Sequence, residues 1–231
     1  MGSTGTTPGG HDRFPGFDVM AEAGHWDDVT RAAVVQRLAA PSPLSFFTVH
    51  EEPTVRALCD RLLGQDAEPR VPVVEAIDAR LRRGDGDGYR YVDMPEDGEA
   101  WKRSLAGLDD DARRRTGRRF AALDRSTQRN LIDHVRRAEG NEGKWHDMPA
   151  ALVFGLWMRY AATAFYSHPW AWNEIGFPGP AYPRGYKATA PGRREPFEVA
   201  EVDARDPIPW VRRVEAARRL HAGESSPADG R

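Results

Sequence analysis

The sequence predicts an all-α fold, an irregular helical bundle rather than a symmetric four-helix one, and three observations carry that prediction. Apolar residues recur at helical spacing in several separate stretches. Few segments alternate with the period of two that a half-buried strand requires. The chain has 231 residues, 40% hydrophobic and 29% charged, which is the balance of an ordinary soluble domain with one good-sized core. No repeat and no linker demands a second domain. The expected organisation is a flexible segment at 1–24, one helical domain at 25–221 and a disordered tail at 222–231.

The first stripe is Val55, Leu58, Cys59, Leu62 and Leu63, at i, i+3, i+4, i+7 and i+8, with Pro53 suited to a helix start. Val73, Val74, Ile77 and Leu81 form the second, ended by the turn cluster Gly84–Gly88. Tyr89, Tyr91, Val92, Met94 and Pro95 lack a clear period and read as an ordered loop. A third helix is expected from about Leu108 to Leu123. There Asp109, Asp110 and Asp111 precede Arg113, Arg114, Arg115, Arg118 and Arg119, an order that complements the helix dipole and reads as a solvated face. Asp124 or Ser126 caps a fourth helix with Leu131, Ile132 and Val135 inward.

Met148 to Tyr166 is the most apolar stretch and approaches the length of a membrane span. Arg159 inside it is costly in hydrocarbon, and Pro149 sits at a helix-start position, so a helix buried all round at the bundle centre is expected instead. A last amphipathic pattern, Trp210, Val214, Ala217 and Leu220, has Arg212, Arg213, Arg218 and Arg219 on its other faces. It can dock onto its own bundle or lie along a partner.

Between these helical patterns, Pro169 to Gly185 holds four aromatics, four prolines and three glycines. Proline removes backbone donors and glycine opens turns closed to other residues, so the segment reads as a long ordered irregular loop near the C-terminus. Rigid aromatics and an arginine on such a loop suit an interface anchor, and they equally suit a cover for the end of the bundle. The candidate interface residues are His168, Trp170, Trp172, Gly176, Phe177, Pro178, Gly179, Pro180, Tyr182, Arg184, Gly185 and Tyr186.

At these residues the chain resembles the gluconate 2-dehydrogenase subunit 3 family. The run AFYSHPWAWNEIGFPGPAYPRGY, with its Phe165-Tyr166, His168-Pro169 and Gly-Phe-Pro-Gly-Pro elements, looks like that family's closing signature. FFTVHEEPTVRALCDRLLGQD, with Asp60 and Gln65-Asp66, looks like its opening helix, so the resemblance spans roughly 45–200. It implies a small, non-catalytic subunit that binds and stabilises a large FAD-binding dehydrogenase subunit of the glucose-methanol-choline type. The partner would oxidise a sugar, sugar acid or related alcohol. On this reading the chain itself binds no cofactor, carries no catalytic residue, and FAD is expected in the partner. Many members carry a twin-arginine signal. Met1 to His11 shows neither that nor an apolar h-region, so a cytoplasmic complex is expected.

Other functions meet specific obstacles. A net charge of −2, from 33 basic and 35 acidic side chains, supplies no basic excess for nucleic acid, and the arginine run lacks interleaved aromatics. The single cysteine, Cys59, permits no internal disulfide and falls on an apolar stripe. No Gly-x-Gly-x-x-Gly, P-loop or Gly-x-Ser-x-Gly occurs, and the seven histidines include no His-x-x-x-His pair. His50 with Glu51 and Glu52, and His146 with Asp147, read as ordinary polar neighbours rather than acid–base pairs. The rival readings are a generic helical adaptor and a stand-alone enzyme with an unrecognised site.

Overall fold

The computed structural model describes residues 14, 16–66, 68–137, 143–188, 190 and 193–199. The pattern at Trp210–Leu220 and the tail at 222–231 lie outside the described residues.

The fold is all-α, as the sequence predicts. Its helices are α1 (Asp28–Gln36), α2 (Glu52–Leu63), α3 (Val73–Arg83), α4 (Asp97–Thr116), α5 (Arg125–Arg136), α6 (Ala150–Tyr166) and α7 (Pro169–Ile175). Short 3-10 turns cover Val19–His25 and Phe120–Ala122. The described sheet is a two-residue hairpin, β1 (Lys144–Trp145) against β2 (Met148–Pro149), with Trp145 opposite Met148.

The expected stripes became α2, α3 and α5, and the apolar run Met148–Tyr166 became α6. Val55, Leu58 and Cys59 are buried on α2, and Val73, Val74, Ile77 and Leu81 on α3. Burial pushes the Cys59 thiol upward, the behaviour of a packed core group. Asp124 caps α5 by accepting a 2.9 Å bond from the Thr127 amide, and the Ser126 and Thr127 hydroxyls help hold its carboxyl well below the usual range. Asp78 on α3 accepts bonds from the Ser45, Phe46 and Phe47 amides at 2.8 Å each, which fastens the chain ahead of α2 to α3. Its burial works to raise the carboxyl, and the backbone donors outweigh it.

The core sits around α6, which packs against α2, α3, α4 and α5. Val153, Trp157 and Ala161 are fully enclosed. The Trp157 indole donates to Ser104 Oγ at 2.9 Å, and Ser104 donates on to the Trp101 carbonyl at 2.8 Å, so these buried groups are paired. The helix is not buried all round. Ala151, Gly155, Thr163 and Tyr166 are exposed along one line, because no described element covers that side.

Four further expectations need correction. α4 starts at Asp97, well before Leu108, because Trp101, Ser104, Leu105, Leu108 and Ala112 make its buried stripe; it ends at Thr116, where Gly117 takes φ 73°. The acidic run is only partly a solvated face. Asp109 is buried and accepts from Thr54 Oγ1 (3.0 Å), the Phe120 amide (3.0 Å) and Arg119 Nε (2.7 Å). The segment after His168 is not irregular throughout, since Pro169 opens the short helix α7. Finally, Phe14 and residues 16–24, assigned by sequence to a flexible end, are packed: Phe14 and Val19 are buried. The rest of that segment lies outside the described residues.

Candidate functional site

The aromatic segment is organised by α7. Proline fits a first helical turn, where its missing N–H costs nothing. His168 stands just before it and caps it, its Nδ1 accepting the Trp170 amide at 3.2 Å. Gly176, with φ 67°, stops it. The His168 ring packs edge-on against Trp170 with centroids 5.1 Å apart. Burial pushes its pKa down to about 4, against a weaker opposing hydrogen bond to the Arg37 backbone, so the ring is neutral at pH 7.

Trp172 belongs to a second, smaller core formed with Val19, Trp26 and Val34 from the start of the described chain. Its indole donates to the Tyr166 carbonyl at 2.6 Å, and the Arg37 guanidinium lies 5.4 Å from its ring centroid. Asn173 Oδ1 accepts the Val19 amide at 2.7 Å. A Cβ on Gly176 would lie 2.5 Å from the Phe14 ring, and one on Gly179 would lie 2.5 Å from Trp26. Arg184 pairs with Glu22 at 2.7 Å and sits 3.8 Å over the Phe197 ring. Glu195 accepts from the Lys187 and Ala188 amides, which hold its carboxyl below the usual range and close the segment's far end.

The twelve sequence-selected residues therefore divide. His168, Trp172, Pro178 and Gly179 are buried, and Gly176 and Arg184 are committed to the N-terminal segment. Trp170 and Pro180 are half-buried, and Gly185 is exposed. The aromatics left facing outward are Phe177 (36% exposed), Tyr182 (65%) and Tyr186 (55%). Two residues missed by sequence join them at this end of the bundle, Tyr166 and Ile175, both about half exposed. Phe177 is braced edge-on by Trp172, with centroids 5.3 Å apart. The sequence signal for the inner half lay in the apolar residues Phe14, Phe17 and Val19, set in a stretch otherwise rich in glycine and threonine.

A second concavity, a cleft of ≈520 Å³, lies between the start of α2, α4 and the hairpin. Several of its polar groups are committed to the fold. Glu51 accepts from the Thr48 amide and hydroxyl at 2.8 and 2.9 Å, and the next residue, Glu52, stands outside the cleft lining and pairs with Arg56. His146 lies 3.1 Å from Asp111, whose other oxygen accepts the Trp145 indole at 2.7 Å. His146 and Asp147 form the hairpin turn with φ 46° and 61°. Gly107 on α4 makes room for it, since a Cβ there would meet Trp145 and His146 at 2.8 Å. Among the described residues no three His, Cys, Asp or Glu side chains converge to hold a metal ion. No described helix is long and apolar enough to cross a membrane.

A family model described as gluconate 2-dehydrogenase subunit 3 matches residues 49–179, more than half of the chain. No curated protein and no solved structure matches it. The match runs from the approach to α2 through Gly179. It leaves out the N-terminal segment packed on the loop, together with Pro180, Tyr182, Arg184, Gly185 and Tyr186.

Proposed function

The chain belongs to the gluconate 2-dehydrogenase subunit 3 family, and from that premise we propose that it binds and stabilises a large FAD-dependent dehydrogenase subunit of the glucose-methanol-choline type. The small subunit contributes a surface; the partner contributes FAD, the substrate pocket and the chemistry. The supporting observation is the outward group Tyr166, Ile175, Phe177, Tyr182 and Tyr186, carried on a segment whose inner half is packed against the chain's own N-terminal residues. Aromatic side chains with few rotatable bonds lose little entropy on burial, and a braced ring such as Phe177 loses less again. Their exposed contact area is of the kind that anchors a protein surface.

The test is co-expression with the adjacent large-subunit candidate and purification through a tag on this chain. A yellow complex with flavin absorbance supports the reading, and dye-linked oxidation of a sugar and alcohol panel then identifies the substrate. If the chain emerges alone and folded while the flavoprotein is stable and active without it, the proposal fails and a generic adaptor becomes the better reading.

A further inference from the structure

Asp60, Gln65 and Asp66 stand out in the sequence at the end of α2, yet they take no part in the surface assigned above. Gly64 stops α2 in the left-handed region, with φ 68°. The buried Gln65 amide then clasps the backbone of Val71. Its Oε1 accepts the Val71 amide at 2.7 Å and its Nε2 donates to the Val71 carbonyl at 3.2 Å. Arg70 pairs with Asp60 at 2.5 Å and with Glu68 at 3.1 Å. These bonds close the turn after α2 and hold Asp66 against α5.

Three guanidiniums meet the Asp66 carboxylate. Arg61 lies 2.5 Å from Oδ1, and Arg125 and Arg129, one turn apart on α5, lie 3.4 and 3.9 Å from Oδ2. Arg125 also donates to the Asp66 carbonyl at 3.1 Å. Asp66 is the one carboxylate these three engage among the described residues. Its neighbours are taken: Asp60 and Glu68 by Arg70, Asp124 as the cap of α5, and Asp133 by Arg136 and Arg137. The cluster therefore holds a formal charge of +2 (3 − 1).

Like charges this close repel one another, and the cluster lacks acceptors as well as negative charge. The Arg61 side chain is 6% exposed, and its Nε finds no hydrogen-bond acceptor, a costly state for a buried donor. Arg125 and Arg129 are more than half exposed, so the deficit opens to solvent.

We propose that Arg61, Arg125 and Arg129 form a binding site for an oxyanion, a phosphate or carboxylate group, with Asp66 holding the three guanidiniums together. The planar guanidinium fork matches both groups and can bind either through paired hydrogen bonds. Asp66 repels the incoming anion, and three cations against one carboxylate leave a net attraction. The inference does not depend on the partner assigned above.

The test is titration of the full-length chain with inorganic phosphate and, separately, with succinate at low ionic strength, where screening is weakest. Calorimetry and the arginine Nε–Hε NMR signals give the readout. Saturable one-site binding that shifts the signals of Arg61, Arg125 and Arg129 is expected. Arg125→Gln with Arg129→Gln should weaken it roughly tenfold or more while leaving Tm nearly unchanged, since both side chains are exposed. Arg115→Gln with Arg118→Gln makes the same charge change at two other exposed arginines and should leave binding unaltered. Tighter binding of phosphate assigns a phosphorylated ligand, and tighter binding of succinate a carboxylate one. Failure of both anions to saturate, or equal weakening by the two double variants, overturns the proposal.

Discussion

Gly179 and Trp26 meet where no side chain other than hydrogen fits: a Cβ on Gly179 would lie 2.5 Å from the indole, and the glycine's own φ is 78°. The contact joins the C-terminal loop to the start of the described chain and makes the inner half of the aromatic segment part of a core. Gly179→Ala therefore combines left-handed backbone strain with overpacking, and should cost about 2–3 kcal/mol of stability. For a chain of this size that is a fall of roughly 5–10 °C in Tm. Calorimetry checks the value, and limited proteolysis should cut first near Trp26.

His168 gives the fold a pH dependence. Its pKa falls from 6.5 to about 4 on folding because burial disfavours the charged ring. Between those values the unfolded chain binds the extra proton, so stability is full above about 6.5 and is lost as pH falls toward 4. Allowing for partial solvent screening, the loss should be roughly 1–2 kcal/mol. His168→Asn keeps a capping acceptor and removes the titration, so its urea midpoint should change less between pH 7.5 and 5 than that of the parent chain.

Asp109 ties α2, α4 and the Phe120–Ala122 turn through three partners. Asp109→Ala would strand the buried Phe120 amide and the Thr54 hydroxyl and leave Arg119 with the His50 carbonyl but no carboxylate. A loss of about 3 kcal/mol is expected, less than for a fully enclosed ion pair because Arg119 keeps some solvent. Chemical denaturation measures it directly. A loss under about 1 kcal/mol would mean that water replaces the carboxylate.

The proposed partner surface makes a separable prediction. Phe177→Ala and Tyr182→Ala should leave Tm nearly unchanged and weaken the complex with the flavoprotein subunit about 10- to 100-fold each. Trp172→Ala, which opens the second core, should lower Tm first. Titration calorimetry beside thermal melts distinguishes the two classes, and outward variants that bind normally would move the interface elsewhere.

Much of the bundle is legible along the chain, and the exceptions share causes. The three stripes that became α2, α3 and α5 show their period because each has three or more apolar residues facing one core, and α6 shows as a continuous apolar run. The first half of α4 hides it, because Lys102, Arg103, Gly107 and the acidic run interrupt the apolar count around Trp101 and Leu105. α1 shows none, having Val34 as its single buried residue. α7 reads as loop because Pro169 opens it and further prolines follow, although proline at a first turn is compatible with helix.

By itself the sequence determined the all-α class, the main helical stripes, the central place of α6 and a family resemblance concentrated in the aromatic segment. All of these rest on the order of residues within one or two turns of chain. Tertiary structure alone decided which half of that segment faces out, because the choice belongs to Phe14, Val19 and Trp26, about 150 residues earlier. It likewise decided that α6 keeps one bare line beside the Tyr89–Met94 loop. Local spacing can mark a residue as apolar or turn-forming, but which distant element covers it depends on packing between parts of the chain that share no local pattern.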